Sequence, residues 1–309
     1  MLGRAIRQAT ERVGQRQLTS GAAKGEPSTA PGSPGDLRRW GEPHRVEAVL
    51  AELYPLCRVN GKKLEFAGSQ GARALIDFNP VPRPNNSQID KVLRAAVERE
   101  ERLCEVLTQA DDFWDFFCAL LNLPRGAAPH TELLMDLAFR WAGIWVMGLK
   151  HQIAALRPFQ SSSLVTTLLP TPQHGALPSG HATMATLFSE LLIALLQPND
   201  ARVAQLDRMA RRIAFNRVVA GVHFPLDNAA GYALGQQLAA LLKAYATGGE
   251  APVTLQFSGT GGNDLATQNE LRETQSRQPA TSSTEKVPKQ LLLEWMWLQA
   301  TEELVALKL

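Results

Sequence analysis

An excess of charge of one sign is almost absent from this chain: 32 Lys and Arg face 30 Asp and Glu, a formal net charge of +2 over 309 residues. That removes the basic footprint expected of a nucleic-acid binder. Cysteine is scarce as well. Cys57, Cys104 and Cys118 are the whole set; they form no close metal-type pair, and their odd number suits reduced thiols better than a disulfide framework. Long apolar runs are missing too. The most hydrophobic stretches are interrupted by Glu132, Asp136, Arg140 and Lys150 in one case and by Glu190 in another, short of the roughly 20 uninterrupted residues of a membrane span. Residues 1–17 (MLGRAIRQATERVGQRQ) lack the continuous apolar core of a secretory signal and read as a short amphipathic helix. Cytoplasm is therefore the expected location, with mitochondrial targeting the alternative. No internal repeat is apparent.

What is present is 45% apolar residues, enough for one large core. Residues 1–36 are expected to be an N-terminal helix and a flexible, proline-rich linker, and residues 37–246 a helical catalytic domain. Residues 247–290, rich in Gly, Ser, Thr, Gln and Pro, read as a second flexible linker. Residues 291–309 form an apolar helix that must dock on the core, pair with a second subunit or touch a membrane; docking or a homo-oligomer is preferred. Within the domain, helices are expected at 44–56, 88–108, 111–122, 131–156, 180–196, 200–219 and 226–245, with a hairpin turn at Asn60-Gly61. Thr131 is the expected N-cap of the fourth of these, the long helix that carries Lys150.

Three short segments carry the chemistry: Lys150 with Arg157-Pro158, then Pro178-Ser179-Gly180-His181, then Arg217 with His223 and Asp227. Seven residues apart on one helix, Lys150 and Arg157 would stack on one face, and Pro158 would end the helix there. Ser179 sits where an N-cap belongs and Gly180 where backbone can approach a ligand, so free amides and the helix dipole favour an anion. His181 would stand over that anion as acid or base. Asp227 is close enough to His223 to hold one ring nitrogen and leave the other as nucleophile or ligand. Taken alone, each segment also fits a solvated stripe, an ordinary capped helix or a polar pair. Together they make the inventory of a site for a tetrahedral oxyanion, phosphate or vanadate.

In this order and spacing the segments resemble the three-part signature shared by type 2 phosphatidic acid phosphatases, bacterial class A acid phosphatases and vanadium-dependent haloperoxidases. The resemblance implies an all-α helical bundle of the acid phosphatase/haloperoxidase type. It also implies that Lys150, Arg157, Ser179, Gly180 and Arg217 hold the equatorial oxygens, that His181 is the acid/base and that Asp227 orients His223. His223 would attack phosphorus in a phosphatase or bind vanadium axially in a haloperoxidase. One departure is visible, Asn216 where the family usually has Ser. His174, seven residues before His181, resembles the bromoperoxidase arrangement and is a candidate for substrate tuning, though it also fits a turn-stabilising role. The expected activity is bromide oxidation by hydrogen peroxide on bound vanadate, without haem; phosphate can occupy the same site. The alternative is hydrolysis of a phosphate monoester through a phosphohistidine at His223, and a third reading is an oxyanion-binding protein without catalysis.

Overall fold

The computed structural model describes residues 33–34, 36–69, 71–258 and 280–309. In chain order these form α1 (Glu42–Leu53), β1 (Cys57–Asn60), β2 (Lys63–Gly68), β3 (Gly71–Asp77), α2 (Asn86–Ala95), α3 (Arg99–Thr108), α4 (Trp114–Leu121) and α5 (Pro129–Ile153). There follow the short α6 (Pro158–Ser161), then α7 (Gly180–Leu196), α8 (Asp200–Val219), α9 (Pro225–Thr247), β4 (Glu250–Pro252), β5 (Leu255–Gln256), β6 (Ser282–Lys286) and α10 (Leu291–Ala306). The expected helix at 1–17 and most of the first linker lie outside the described residues.

The fold is mostly helical, but the all-α expectation is corrected by two small sheets. β1, β2 and β3 form an antiparallel meander that β5 extends in parallel, and β4 pairs with β6. The Asn60-Gly61 turn does open a hairpin, with Gly61 at φ +55, a conformation that glycine adopts without the Cβ penalty. Alternation then places Leu64 and Phe66 of β2 in the core. The second expected linker is likewise corrected at both ends: α9 runs on to Thr247, and β4, β5 and β6 lie within residues 247–290. Ala251, Phe257 and Val287 are buried there, which anchors the polar stretch; residues 259–279 lie outside the described set.

Close packing of α7 on α9 sets the geometry of the site. A Cβ on Gly231 would lie 2.5 Å from the Ser179 carbonyl oxygen, and one on Gly235 would lie 2.5 Å from that of Thr183. Only glycine lets the two helices approach this closely. The Ser179 amide then donates to the Asp227 carbonyl at 2.9 Å, joining the N-terminal ends of α7 and α9.

One face of the C-terminal helix is covered by its own chain, while Leu291, Leu298 and Val305 stay exposed. α10 packs on α5, α9, α7 and α1 and buries Leu293, Trp295, Met296, Trp297, Ala300 and Leu304. Its docking is reinforced by caps exchanged between helices. Glu52 of α1 accepts from the Leu292 and Leu293 amides of α10, while Glu303 of α10 accepts from the His130 and Thr131 amides of α5 at 3.0 and 2.8 Å. Thr131 is therefore not the N-cap of its helix. α5 starts at Pro129 behind Ala128, because proline suits the first helical position and the orphan amides are satisfied from α10. No helix among the described residues is long and apolar enough to cross a membrane.

Candidate oxyanion site

Lys150 and Arg157 do not share a helix. α5 ends at Ile153, Ala154 adopts a left-handed conformation (φ 49), and Arg157 becomes the N-cap of α6. The two cations converge nonetheless, because both grip the segment before α7. Lys150 Nζ donates to the Gly175 and Ala176 carbonyls at 2.7 and 2.9 Å. Arg157 Nε donates to the His174 carbonyl at 3.1 Å, and its Nη1 donates to the Val222 carbonyl at 2.6 Å. Both side chains are buried.

Ser179 is the N-cap of α7, its hydroxyl accepting from the Ala182 amide at 3.4 Å. A Cβ on Gly180 would meet only Val146, at 3.9 Å, so the protein itself does not demand glycine there. His181 Nε2 lies 3.0 Å from the Gln109 carbonyl, and its ring packs against Phe113 at 5.9 Å. A carbonyl can only accept, so Nε2 carries the proton and Nδ1 carries the lone pair of the neutral ring. Burial, then the Arg217 charge, pushes the His181 pKa down to about 3. A bound anion would oppose both effects.

His223 precedes α9, with Nδ1 3.3 Å from Asp227 Oδ2; that oxygen also accepts from the Phe224 amide at 2.8 Å. Asp227 is thus the third residue of α9 and fixes both the start of the helix and the ring of His223. His223 Nε2 lies 3.4 Å from Arg157 Nη1; since guanidinium only donates, this nitrogen presents its lone pair. Its pKa lies well below the usual histidine range, through burial first and then the Lys150 and Arg157 charges. Burial moves the facing pair in opposite directions, Lys150 down to about 7 and Asp227 up to about 7, while their mutual attraction opposes both shifts.

Arg217, in the last turn of α8, is 1% exposed. Its Nη2 donates to the Val106 carbonyl at 2.9 Å, while Nε and Nη1 have no protein partner. Two donors on a buried cation without a protein partner fit an anionic ligand. The donor set fits a tetrahedral oxyanion, phosphate or vanadate alike.

His174 sits on Arg157: its Nδ1 lies 3.2 Å from Arg157 Nη2, in addition to the bond its carbonyl accepts. Its pKa is lowered, mainly by burial. Gln109 belongs to no motif, yet it is fully buried and joins His181 to Asn216; Asn216 Nδ2 donates to Gln109 Oε1 at 2.8 Å. The unusual Asn216 was the one available signal, and it pointed to no partner.

Residues 133–248 match the model described as the PAP2 superfamily. Over 92 residues the chain is 34% identical to an undecaprenyl-diphosphatase of Sulfolobus acidocaldarius, a match covering 30% of this chain and 44% of that protein. The chain therefore spans less than half the length of this curated relative. A solved structure, described as the first transmembrane PAP2 type phosphatidylglycerolphosphate phosphatase from Bacillus subtilis, is similar at 22% identity and a TM-score of 0.40, over 52% of this chain and 84% of that one. The matched span runs from α5 to the end of α9 and includes every motif residue, so the similarity to the PAP2 superfamily model lies on the part of the chain that builds the site.

Proposed function

We propose that the chain is a phosphohydrolase that cleaves a phosphate ester or diphosphate through a phosphohistidine at His223. The observation that carries this reading is the pairing of a lone pair on His223 Nε2 with a buried Arg217 whose Nε and Nη1 have no protein partner. Arg217, Arg157 and Lys150 would hold the phosphoryl oxygens and offset the charge that builds in the transition state.

With the anionic substrate bound, His181 takes up a second proton on Nδ1; His223 Nε2 attacks phosphorus, the bond to the leaving oxygen breaks with its electron pair, and His181 delivers its Nδ1 proton to that oxygen. Asp227 holds the Nδ1 proton throughout and stabilises the charged ring. Water then attacks the phosphohistidine, His181 accepts its proton, and the P–N bond breaks to return His223 and free phosphate.

The diphosphatase relative supports this reading over halide oxidation, whose residue-level argument was His174. In the structure His174 braces Arg157, a service equally useful to phosphate. The relative acts, by its name, on undecaprenyl diphosphate, so a diphosphate ester belongs beside an aryl monophosphate in the first assay. Hydrolysis, inhibition by vanadate and a phosphoryl group trapped on His223 are expected. Bromination of a phenol indicator by vanadate-loaded protein with peroxide, without ester hydrolysis in the vanadate-free protein, would return the function to the haloperoxidase reading.

A further inference from the structure

The C-terminal end of α3 lies outside all three motifs, yet it touches two of them. The last carbonyls of a helix have no intrahelical donor and must find one elsewhere. In α3 the Val106 carbonyl accepts from Arg217 Nη2 at 2.9 Å, and the carbonyl of the C-cap residue Gln109 receives His181 Nε2 at 3.0 Å. The Gln109 side chain is locked on both sides. Its Nε2 donates to Glu105 Oε1 at 3.0 Å, and its Oε1 accepts from Asn216 Nδ2 at 2.8 Å. Glu105 is gripped in turn by Arg212 through both oxygens at 2.8 Å, and Asn216 Oδ1 accepts from Arg102 at 3.2 Å.

We infer that Gln109 is a positioning residue: with Asn216 it clamps its own carbonyl against His181, so that the proton stays on Nε2 and Nδ1 is the atom that exchanges a proton with substrate. Three features support the assignment. The carbonyl admits only the Nε2–H tautomer. The negative end of the α3 dipole favours the protonated imidazole that must donate to a leaving group. And Asn216, adjacent in sequence to Arg217, reaches Gln109 with an amide that the shorter serine usual in the family lacks, so the clamp belongs to this chain's own sequence.

The role of the Nδ1 atom rests on the phosphohydrolase reading; the tautomer does not. The test is nitrogen NMR of the full chain with labelled histidine, read beside steady-state hydrolysis of an aryl phosphate. In the wild type His181 is expected as the Nε2–H tautomer without added ligand. Gln109→Leu should mix in the other tautomer and lower kcat about tenfold while KM stays within about twofold, a cost typical of losing an outer partner. Asn216→Ser should do the same more weakly and serves if Gln109→Leu does not fold. An Nδ1–H tautomer in the wild type overturns the inference, as does a fall in kcat with the tautomer unmoved. A protein that hydrolyses no phosphate ester sinks the phosphohydrolase reading, while its His181 tautomer still decides whether Gln109 sets the proton.

Discussion

Arg217 allows a test in which stability and ligand binding move in opposite directions. Without an anion, its Nε and Nη1 are buried and unpaired. Each such donor costs about 1–3 kcal/mol, so the pair costs about 2–6 kcal/mol in the empty protein. Against this stands one charge-assisted bond, Nη2 to the Val106 carbonyl, contributing about 1.5–3 kcal/mol. Arg217→Met keeps the apolar stem and removes both terms. The empty variant should therefore match the wild type or exceed it by up to a few kcal/mol, contrary to the loss usual for a buried residue. Phosphate reverses the order. At a concentration 100 times its Kd, phosphate stabilises the wild type by about 2.7 kcal/mol. If the variant binds about 100-fold more weakly, the same concentration stabilises it by only about 0.4 kcal/mol. Urea unfolding with and without phosphate measures both quantities on the same samples. A variant that is clearly less stable when empty yet keeps the wild-type response to phosphate would falsify the assignment of the orphaned donors to an anion.

The two histidines should separate: His223→Ala should abolish phosphoenzyme formation, whereas His181→Ala should still bind phosphate, as calorimetry would show, and lose turnover. Glu303→Ala leaves the first amides of α5 without their cap, so urea unfolding should show a loss of about 1–2 kcal/mol with activity per folded molecule unchanged. Because burial lowers the His181 pKa from 6.5 to about 3, the unfolded chain binds the extra proton between those values, and this residue's contribution to stability is lost as pH falls through that window. Asp227 acts in the opposite sense from 3.8 to about 7, so the difference in slope between wild type and His181→Gln is the quantity to measure, and equal slopes would argue against a buried neutral His181.

Helix ends proved legible where the cap was local. Ser179 and Asn199 each accept from an amide three residues on, and α7 and α8 run over the residues the sequence marked, Gly180–Leu196 and Asp200–Val219. They were illegible where the cap came from afar: the carboxylate at the start of α5 belongs to Glu303, 172 residues away from Thr131. The same limit explains the strands. β5 is two residues long, too short for any alternation, and becomes a strand only because β3 is already in place beside it.

The site divides along similar lines. The motif side chains could be named from the sequence, because Lys, Arg, His and Asp announce their chemistry and keep a fixed spacing, whereas Gln109 could not. What holds the cations was invisible. Lys150, Arg157 and Arg217 donate to the backbone carbonyls of Val106, His174, Gly175, Ala176 and Val222, and a carbonyl is common to every residue. Hence the error over Lys150 and Arg157: the seven-residue spacing suggested one helical face, when the two cations are brought together by the carbonyls before α7. This arrangement also suits the proposed chemistry. Carbonyls orient a cation without neutralising its charge as a carboxylate would, so positive charge remains for the phosphoryl oxygens when they arrive.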